Sequence, residues 1–317
     1  MTQEIQQKKT FKQAKIIINP NSGQSKGKFR WLERLLGIKG NQSHQQSKEE
    51  IASYITSFLT RHQIYSKSFF TTHPGHATEL AKNAQNEGYD LVIAVGGDGT
   101  INEVTNGLVH STITLGIIPL GTANVMSIEL NIPTDLELAC QKIINGYRST
   151  IDLAKINHRY FCCMAGIGFD ANVIKKADTS LKKKLGPLSY VLVAMRELCT
   201  YKFQKIYLTL DNKVDIDGYF AIISNIKFYG GNFIVFPNAN PDDGILDICV
   251  FKQKKILRYV YHLITKSLPK NKYIEYYQAK KIKVKQQGNH DIHVDAEYIG
   301  KGAVNINIMP NAIWVIR

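Results

Sequence analysis

The 317-residue chain contains no apolar run of transmembrane length, and residues 1–13 lack the apolar stretch of a secretion signal. Any membrane contact is therefore expected to be peripheral. Acids are scarce: 26 Asp and Glu against 40 Lys and Arg leave a formal charge of +14. That excess attracts polyanions, whether nucleic acid, an anionic membrane surface or nucleotide phosphates, and charge alone does not choose among them. The cysteines, Cys140, Cys162, Cys163, Cys199 and Cys249, are odd in number and include no C-x-x-C pair. Neither a disulfide framework nor a zinc site is indicated, and a reducing cytoplasm fits best. There is no internal repeat; the one low-complexity stretch, 39–50, is polar, rich in Gln and Ser, and reads as a surface loop. The glycine-rich turn at 96–99 also lacks both common phosphate-binding spellings, G-x-x-x-x-G-K-[ST] and G-x-G-x-x-G, which excludes the P-loop and the dinucleotide fingerprint there.

What is present begins with enough apolar residues, 44% of the chain, for a sizeable core or two, in a length that exceeds one average domain. From Ala14 to Arg148 strand and helix signals alternate. Strands are expected at 15–18, 65–71, 91–95 and 115–119, and helices at 28–37, 49–61, 75–87, 101–109 and 136–146. This order predicts a layered α/β domain over 14–148 with a largely parallel sheet. From about Thr150 the pattern turns to short alternating segments, 160–164, 205–210, 219–224, 245–251, 281–285, 292–295 and 304–308, with helices at 188–199 and 255–267. A mainly β domain is expected over 149–308, and 309–317 can return to the first domain.

The most informative segment is Tyr89-Asp-Leu-Val-Ile-Ala-Val-Gly-Gly-Asp-Gly-Thr-Ile-Asn-Glu-Val-Thr-Asn-Gly-Leu108. Leu91 to Val95 reads as a strand buried on both faces, and Ile101, Val104 and Leu108 recur at helical spacing. Between them Gly96, Gly97 and Gly99 clear side chains from a sharp turn that opens onto a helix N-terminus, where free amides favour phosphate. Asp98 is out of place beside an anion unless it holds magnesium, caps the helix or orients a reacting hydroxyl. Two more loops follow strand exits, Asn19-Pro20-Asn21-Ser22-Gly23 and Leu120-Gly121-Thr122-Ala123-Asn124. In parallel sheets ligands sit at such ends, so three loops can converge on one nucleotide. Asn19 and Ser22 can donate to phosphate oxygens, and Gly23 permits the close turn. Each loop alone is also ordinary turn chemistry.

With these residues assembled, the chain resembles the diacylglycerol kinase catalytic family in its soluble bacterial branch, related to sphingosine and ceramide kinases. The resemblance runs through Ile18-Asn-Pro-Asn-Ser-Gly23, Thr71-Thr-His-Pro-Gly-His-Ala77, Gly96-Gly-Asp-Gly-Thr-Ile-Asn-Glu103 and Pro119-Leu-Gly-Thr-Ala-Asn124. It continues through Ala165-Gly-Ile-Gly-Phe-Asp170, Pro241-Asp-Asp-Gly-Ile-Leu-Asp247 and Val294-Asp-Ala-Glu297. It departs at Val125, where many bacterial members carry an acid, and at Ala296, where glycine is usual. Ala296 suits that place only if its φ is negative.

The resemblance implies an NAD kinase- or phosphofructokinase-like nucleotide domain followed by a β-sandwich-like lipid domain, with transfer of the ATP γ-phosphoryl group to a lipid hydroxyl at a cleft between them. It assigns ATP contacts to Asn19, Pro20, Asn21, Ser22, Gly23, Thr72, Gly96, Gly97, Asp98, Gly99, Thr100, Ile101, Asn102 and Thr122. It places the base at Glu297, and a structural Mg2+ at Asn240, Asp243 and Ile245. With Asp98, Asp295 completes the candidate catalytic acids, since a strand over His293–Glu297 would set Asp295 and Glu297 on one face with Val294 and Ala296 behind. The acceptor is expected to be diacylglycerol or a related lipid, placing the enzyme in phospholipid metabolism. A sphingoid-base kinase, a soluble-substrate kinase of the NAD kinase type and a non-catalytic lipid-binding regulator are the alternatives. Lys252 to Lys285 carry eleven basic residues against one acid, Glu275, and Lys182–Lys184 add a second cluster. These suit an anionic membrane surface, so the expected place is cytoplasmic with peripheral membrane association. No nucleic-acid signature accompanies them, and a homodimer is left open.

Overall fold

The structure, a computed structural model, describes residues 10–23, 47–177, 188–198, 200–265, 267–268, 271–285, 287 and 289–317. The expected helix at 28–37, residues 39–46 of the polar loop, Lys182–Lys184, Lys266, Lys270 and Cys199 lie outside the described residues. Two compact units divide the chain, the first formed by the described residues up to 23, 47–151 and 311–317, the second by those of 152–310.

The first unit contains β1 (Gln13–Ile18), α1 (Lys48–Arg61), β2 (Tyr65–Phe70), α2 (His76–Asn83), β3 (Leu91–Gly96), α3 (Asp98–Leu108), β4 (Thr114–Pro119), α4 (Val125–Glu129) and α5 (Leu136–Asn145). Its strands run parallel in the order β2-β1-β3-β4. Every residue of β3 and β4 is buried, which is why both read as unbroken apolar segments with no alternation. On α3, Ile101, Val104 and Leu108 are buried, the face their spacing predicts. Ser47 and Glu50 close a capping box at the start of α1, so the helix begins where the polar loop ends. The chain's last strand, β18 (Val304–Ile316), brings Trp314 and Val315 parallel to Thr114 and Leu115 of β4.

β5 (Arg148–Ile156) leads into the second unit. There β6 (Arg159–Phe161), β7 (Met164–Ile167), α6 (Phe169–Lys176), α7 (Leu188–Glu197), β8 (Ile206–Leu210), β9 (Val214–Gly218), β10 (Phe220–Ser224), β11 (Phe228–Tyr229), β12 (Phe233–Ile234) and β13 (Leu246–Phe251) follow. Next come α8 (Ile256–Ile264), β14 (Ile274–Ala279), β15 (Lys281–Val284), β16 (Asp291–Val294) and β17 (Glu297–Lys301). One antiparallel sheet has the order β14-β13-β10-β7-β16-β17, and β15, β8 and β9 continue antiparallel from the first half of β18. Ile167, Ile223, Ile248 and Ile292 of the former meet Leu208, Ile282, Val284 and Ile306 of the latter in one apolar core, the arrangement of a β-sandwich. The fold class is thus an α/β unit with a parallel sheet and a mainly β, sandwich-like unit.

Three expectations are corrected. The strand expected at 160–164 is two strands, because Cys162 and Cys163 turn their amides to a side chain rather than to a ladder. Strand β16 stops at Val294, so Asp295 and Glu297 do not share one strand face. Asp295 and Ala296 form the two-residue turn of a hairpin whose Val294 pairs with Glu297. The turn has φ of 43° at Asp295 and 62° at Ala296, against the negative φ expected for the alanine. Positive φ at both central positions is the signature of a type I′ hairpin turn, whose twist matches that of the flanking strands, and the left-handed conformation costs alanine about 1 kcal/mol.

Candidate active site

In the first unit the three loops close on one another. Leu120 N–H donates to Gly96 O at 2.8 Å, and Asn19 N–H donates to Val95 O at 3.1 Å. Asn19 Nδ2 donates to Thr100 Oγ1 at 3.0 Å, while its Oδ1 accepts the Asn21 amide at 2.9 Å and Ser22 Oγ donates to Asn19 O at 2.7 Å. A Cβ on Gly121 would lie 2.5 Å from Gly97 Cα, and one on Gly23, whose φ is 76°, would lie 2.7 Å from Leu120 O. These contacts are to backbone, which cannot swing aside. Gly121→Ala is therefore expected to cost about 1–3 kcal/mol of stability through overpacking. Thermal or denaturant unfolding checks this, and a midpoint equal to the parent's would show that the loops separate freely.

The loops border an open cleft of about 410 Å3 lined by Asn19, Asn21, Ser22, Thr72, Gly97, Gly99, Thr100 and Gly121, together with Thr71, His73, Pro74, Ala77 and Glu103. The N-terminus of α3 has Gly97 at its cap with no side-chain hydrogen bond, and a Cβ on Gly99 would meet nothing within 4 Å. Amides at an open helix start beside side-chain-free backbone make an anion site. Not every expected contact lines the cleft. Ile101 is fully buried in the core, Asn102 is buried and accepts from Asn106 Nδ2 at 3.2 Å, and Pro20, Gly23, Gly96, Asp98 and Thr122 stand outside the lining. Asp98 Oδ1 instead accepts the Met126 amide at 3.3 Å, tying the first turn of α3 to α4. Val125 is buried in the core.

Sequence reasoning assigned Thr72 but gave no role to Thr71, His73, Pro74, Ala77 and Glu103. The signal was the Thr-Thr-His-Pro-Gly-His run itself. Thr72 N–H donates to His76 Nδ1 at 3.1 Å, and Glu103 Oε2 accepts the Ala77 amide at 3.2 Å, so this loop is pinned to α3 by the residue that ends the glycine motif.

The second unit holds the remaining candidates. Glu297 opens β17, exposed, and forms an ion pair with Arg159 of β6. Asp295 plays a different part. Its Oδ1 accepts the amides of Cys163 at 3.0 Å and Met164 at 2.8 Å, and its Oδ2 accepts that of Cys162 at 3.0 Å. Cys162, Cys163 and Asp295 bring three donor atoms within 4.8 Å of one another, but the carboxylate is already engaged by three amides, so the cluster anchors the hairpin. Beneath it, His293 Nε2 meets Asp170 Oδ2 at 2.7 Å and Tyr229 hydroxyl donates to Asp170 Oδ1. Burial alone would raise Asp170, but the His293 ring and the hydrogen bonds from His293 and Tyr229 outweigh it and hold the carboxyl below its usual range.

In the 240–247 loop Gly244 has a φ of 73° and its amide donates to Asp152 Oδ2 at 2.6 Å, while Asp152 N–H donates to Pro241 O at 2.7 Å. Asp152 is fully buried and was not singled out from sequence, since a lone Ile-Asp-Leu in a strand carries no motif. Asp243 Oδ1 accepts the Ile245 amide at 3.0 Å. Burial pushes the Asp247 carboxyl up, with Asp243 adding to it; desolvation and the neighbouring Asp242 likewise raise Asp243. Asp247 Oδ2 is buried without a hydrogen-bond partner. Crowded carboxylates with an orphaned oxygen are the chemistry a hard divalent cation satisfies, so the oxygen donors at Asn240, Asp243 and Ile245 fit Mg2+.

Comparison with known proteins agrees with this layout. The diacylglycerol kinase catalytic domain family matches residues 34–156, and the YegS C-terminal NAD kinase beta sandwich-like domain matches 163–317. A Bacillus subtilis (strain 168) diacylglycerol kinase is 32% identical over 300 residues, 92% of this chain and 91% of its own. A Staphylococcus aureus (strain MRSA252) diacylglycerol kinase is 31% identical over 301 residues, 93% of this chain and 89% of its own. Among solved structures, a Bacillus anthracis str. Sterne protein assigned as a diacylglycerol kinase superposes with a TM-score of 0.77 at 25% identity, covering 98% of each chain. The protein is a kinase, an enzyme of phosphoryl transfer. It belongs to the diacylglycerol kinase family.

Proposed function

We propose that this kinase transfers the γ-phosphoryl group of ATP to the hydroxyl of diacylglycerol or a closely related lipid. The observation that carries the reading is the locking of three strand-exit loops, backbone to backbone at Gly97 and Gly121, around an open cleft at the start of α3. Asn19, Asn21, Ser22, Thr72, Gly97, Gly99 and Thr100 take up the triphosphate, with main-chain amides and small hydroxyls replacing its water, while Pro20, Gly23 and Gly96 shape the loops behind them. Thr122 contributes from the adjoining loop, and Ile101 and Asn102 act by holding the helix from behind. Asp98 fixes the helix start against α4 and offers its carboxylate to the reacting groups. Glu297 accepts the proton of the lipid hydroxyl as the new P–O bond forms and the β–γ bridging bond breaks, leaving ADP. Phosphoryl transfer asks chiefly for such positioning and charge neutralisation, and magnesium supplies the latter when bound. Asp295 contributes by fixing the hairpin on which Glu297 stands.

The test is transfer of labelled phosphate from ATP into organic-extractable product across diacylglycerol, sphingosine, ceramide and phosphatidylglycerol. Label in none of the four products would defeat the lipid-kinase reading.

A divalent cation at Asn240, Asp243 and Ile245 braces the 240–247 loop. Mg2+ at ten times its dissociation constant is expected to stabilise the parent by about 1.4 kcal/mol and Asp243→Asn by far less. Unfolding with and without the ion measures this; equal stabilisation of both proteins would remove Asp243 from the site.

We further infer peripheral attachment to anionic membranes, supported by the +14 charge. Not all of the lysine-rich segment is available for it. Lys252 pairs with Glu275 and with Asp217, and Lys285 with Asp215, the two aspartates lying outside the lysine-rich segment. No helix among the described residues is long and apolar enough to cross a bilayer.

A further inference from the structure

Helix α8 has the sequence Ile-Leu-Arg-Tyr-Val-Tyr-His-Leu-Ile and carries apolar residues on two faces. Ile256 and Tyr259 are buried against the sandwich, where Tyr259 hydroxyl donates to Tyr273 O at 3.3 Å. Leu257 and Tyr261, one turn apart, project outward with 66% and 62% of their surface exposed. The helix packs on β12, whose Ile234 is itself 45% exposed. Exposed large apolar side chains grouped in this way need a partner.

The charge beside them indicates which partner. Arg258 lies 4.8 Å from the centre of the Tyr273 ring, Lys272 5.3 Å and Lys255 5.9 Å. Lys272 first, with Arg258 and Lys255, pulls the Tyr273 phenol below its ordinary range. None of these three cations has a carboxylate partner among the described residues, although Lys252 nearby has two. Three like charges around one ring, unneutralised by protein, complement a surface of closely spaced anions. Apolar side chains on a helix bordered by Lys and Arg are the pattern of an element lying in a membrane interface.

We propose that α8 is the membrane-docking element of this kinase, with Leu257 and Tyr261 entering the acyl boundary of an anionic bilayer while Lys255, Arg258 and Lys272 bind lipid phosphates. This rests on the lipid-kinase reading for its purpose, but not for its test. The full chain is sedimented with vesicles of phosphatidylcholine alone or mixed with phosphatidylglycerol. Three proteins are compared: the parent, Leu257→Ser/Tyr261→Ser and Arg258→Glu/Lys272→Glu. The parent is expected to prefer the anionic vesicles and to release them as salt rises. Each double variant, altered only at exposed side chains, is expected to bind them at least about tenfold less tightly. Transfer to diacylglycerol in those vesicles should fall in step, while transfer to a short-chain diacylglycerol dispersed as monomer stays at the parent's rate. Partition of both variants equal to the parent's, or no preference of the parent for anionic vesicles, would overturn the proposal. So would loss of nucleic-acid binding in the charge variant with vesicle binding intact. A parent that docks through α8 but phosphorylates neither form of diacylglycerol would defeat the lipid-kinase reading and leave the docking surface standing.

Discussion

Glu297→Gln is expected to lower phosphoryl transfer at least about a hundredfold with no shift in the unfolding midpoint, because a positioned base contributes some 10²–10⁴ in rate. Glutamine keeps the shape and the first strand position of β17 but cannot accept a proton. The side chain is 63% exposed, so its ion pair with Arg159 is solvent-screened and its loss should change stability little. Initial rates with saturating ATP and a dispersed lipid acceptor check this. A variant working at near the parent rate would exclude Glu297 as the base, and a variant that unfolds early would mean that the Arg159 contact is structural.

Asp295→Ala should show the opposite signature. Three amides, of Cys162, Cys163 and Met164, would lose their acceptor at once, in a segment where both cysteines are buried. An unsatisfied buried donor costs about 1–3 kcal/mol, so three of them are expected to cost roughly 3 kcal/mol or more, large against the stability of a typical domain. Denaturant unfolding measures it. Rate per folded molecule should fall less than in Glu297→Gln if, as proposed, Asp295 only fixes the hairpin that carries Glu297. Unaltered stability with lost activity would return Asp295 to the chemistry.

These two acids show why part of the site was legible and part was not. In His293-Val294-Asp295-Ala296-Glu297 the period-2 alternation runs on through the chain reversal, because a two-residue turn interrupts the pattern without the usual Asn-Gly signal. A straight strand and a hairpin therefore read alike until the pairing of Val294 with Glu297 is seen. The glycine loops were legible for the converse reason. Each follows an apolar strand directly, and in a parallel sheet the loops leaving the carboxyl ends of the strands share one edge, where ligands bind. Asp152, Arg159 and Glu103 were given no role because each acts on a partner far away in sequence, and no local spacing encodes such a pairing.

The sequence by itself determined the succession of a parallel α/β unit and a sandwich-like unit, the three anion-suited loops and the family. These depend on residues that are neighbours along the chain, where burial pattern and turn chemistry are written locally. Only the tertiary structure decided that Gly97 and Gly121 touch, that Ala296 is left-handed and that Asp295 holds amides. It also decided which cations lack acids: Lys252 is neutralised by Asp217 and Glu275 while Arg258 and Lys272 crowd one tyrosine. Sheet order and strand register set those distances, and both arise from packing among segments tens of residues apart.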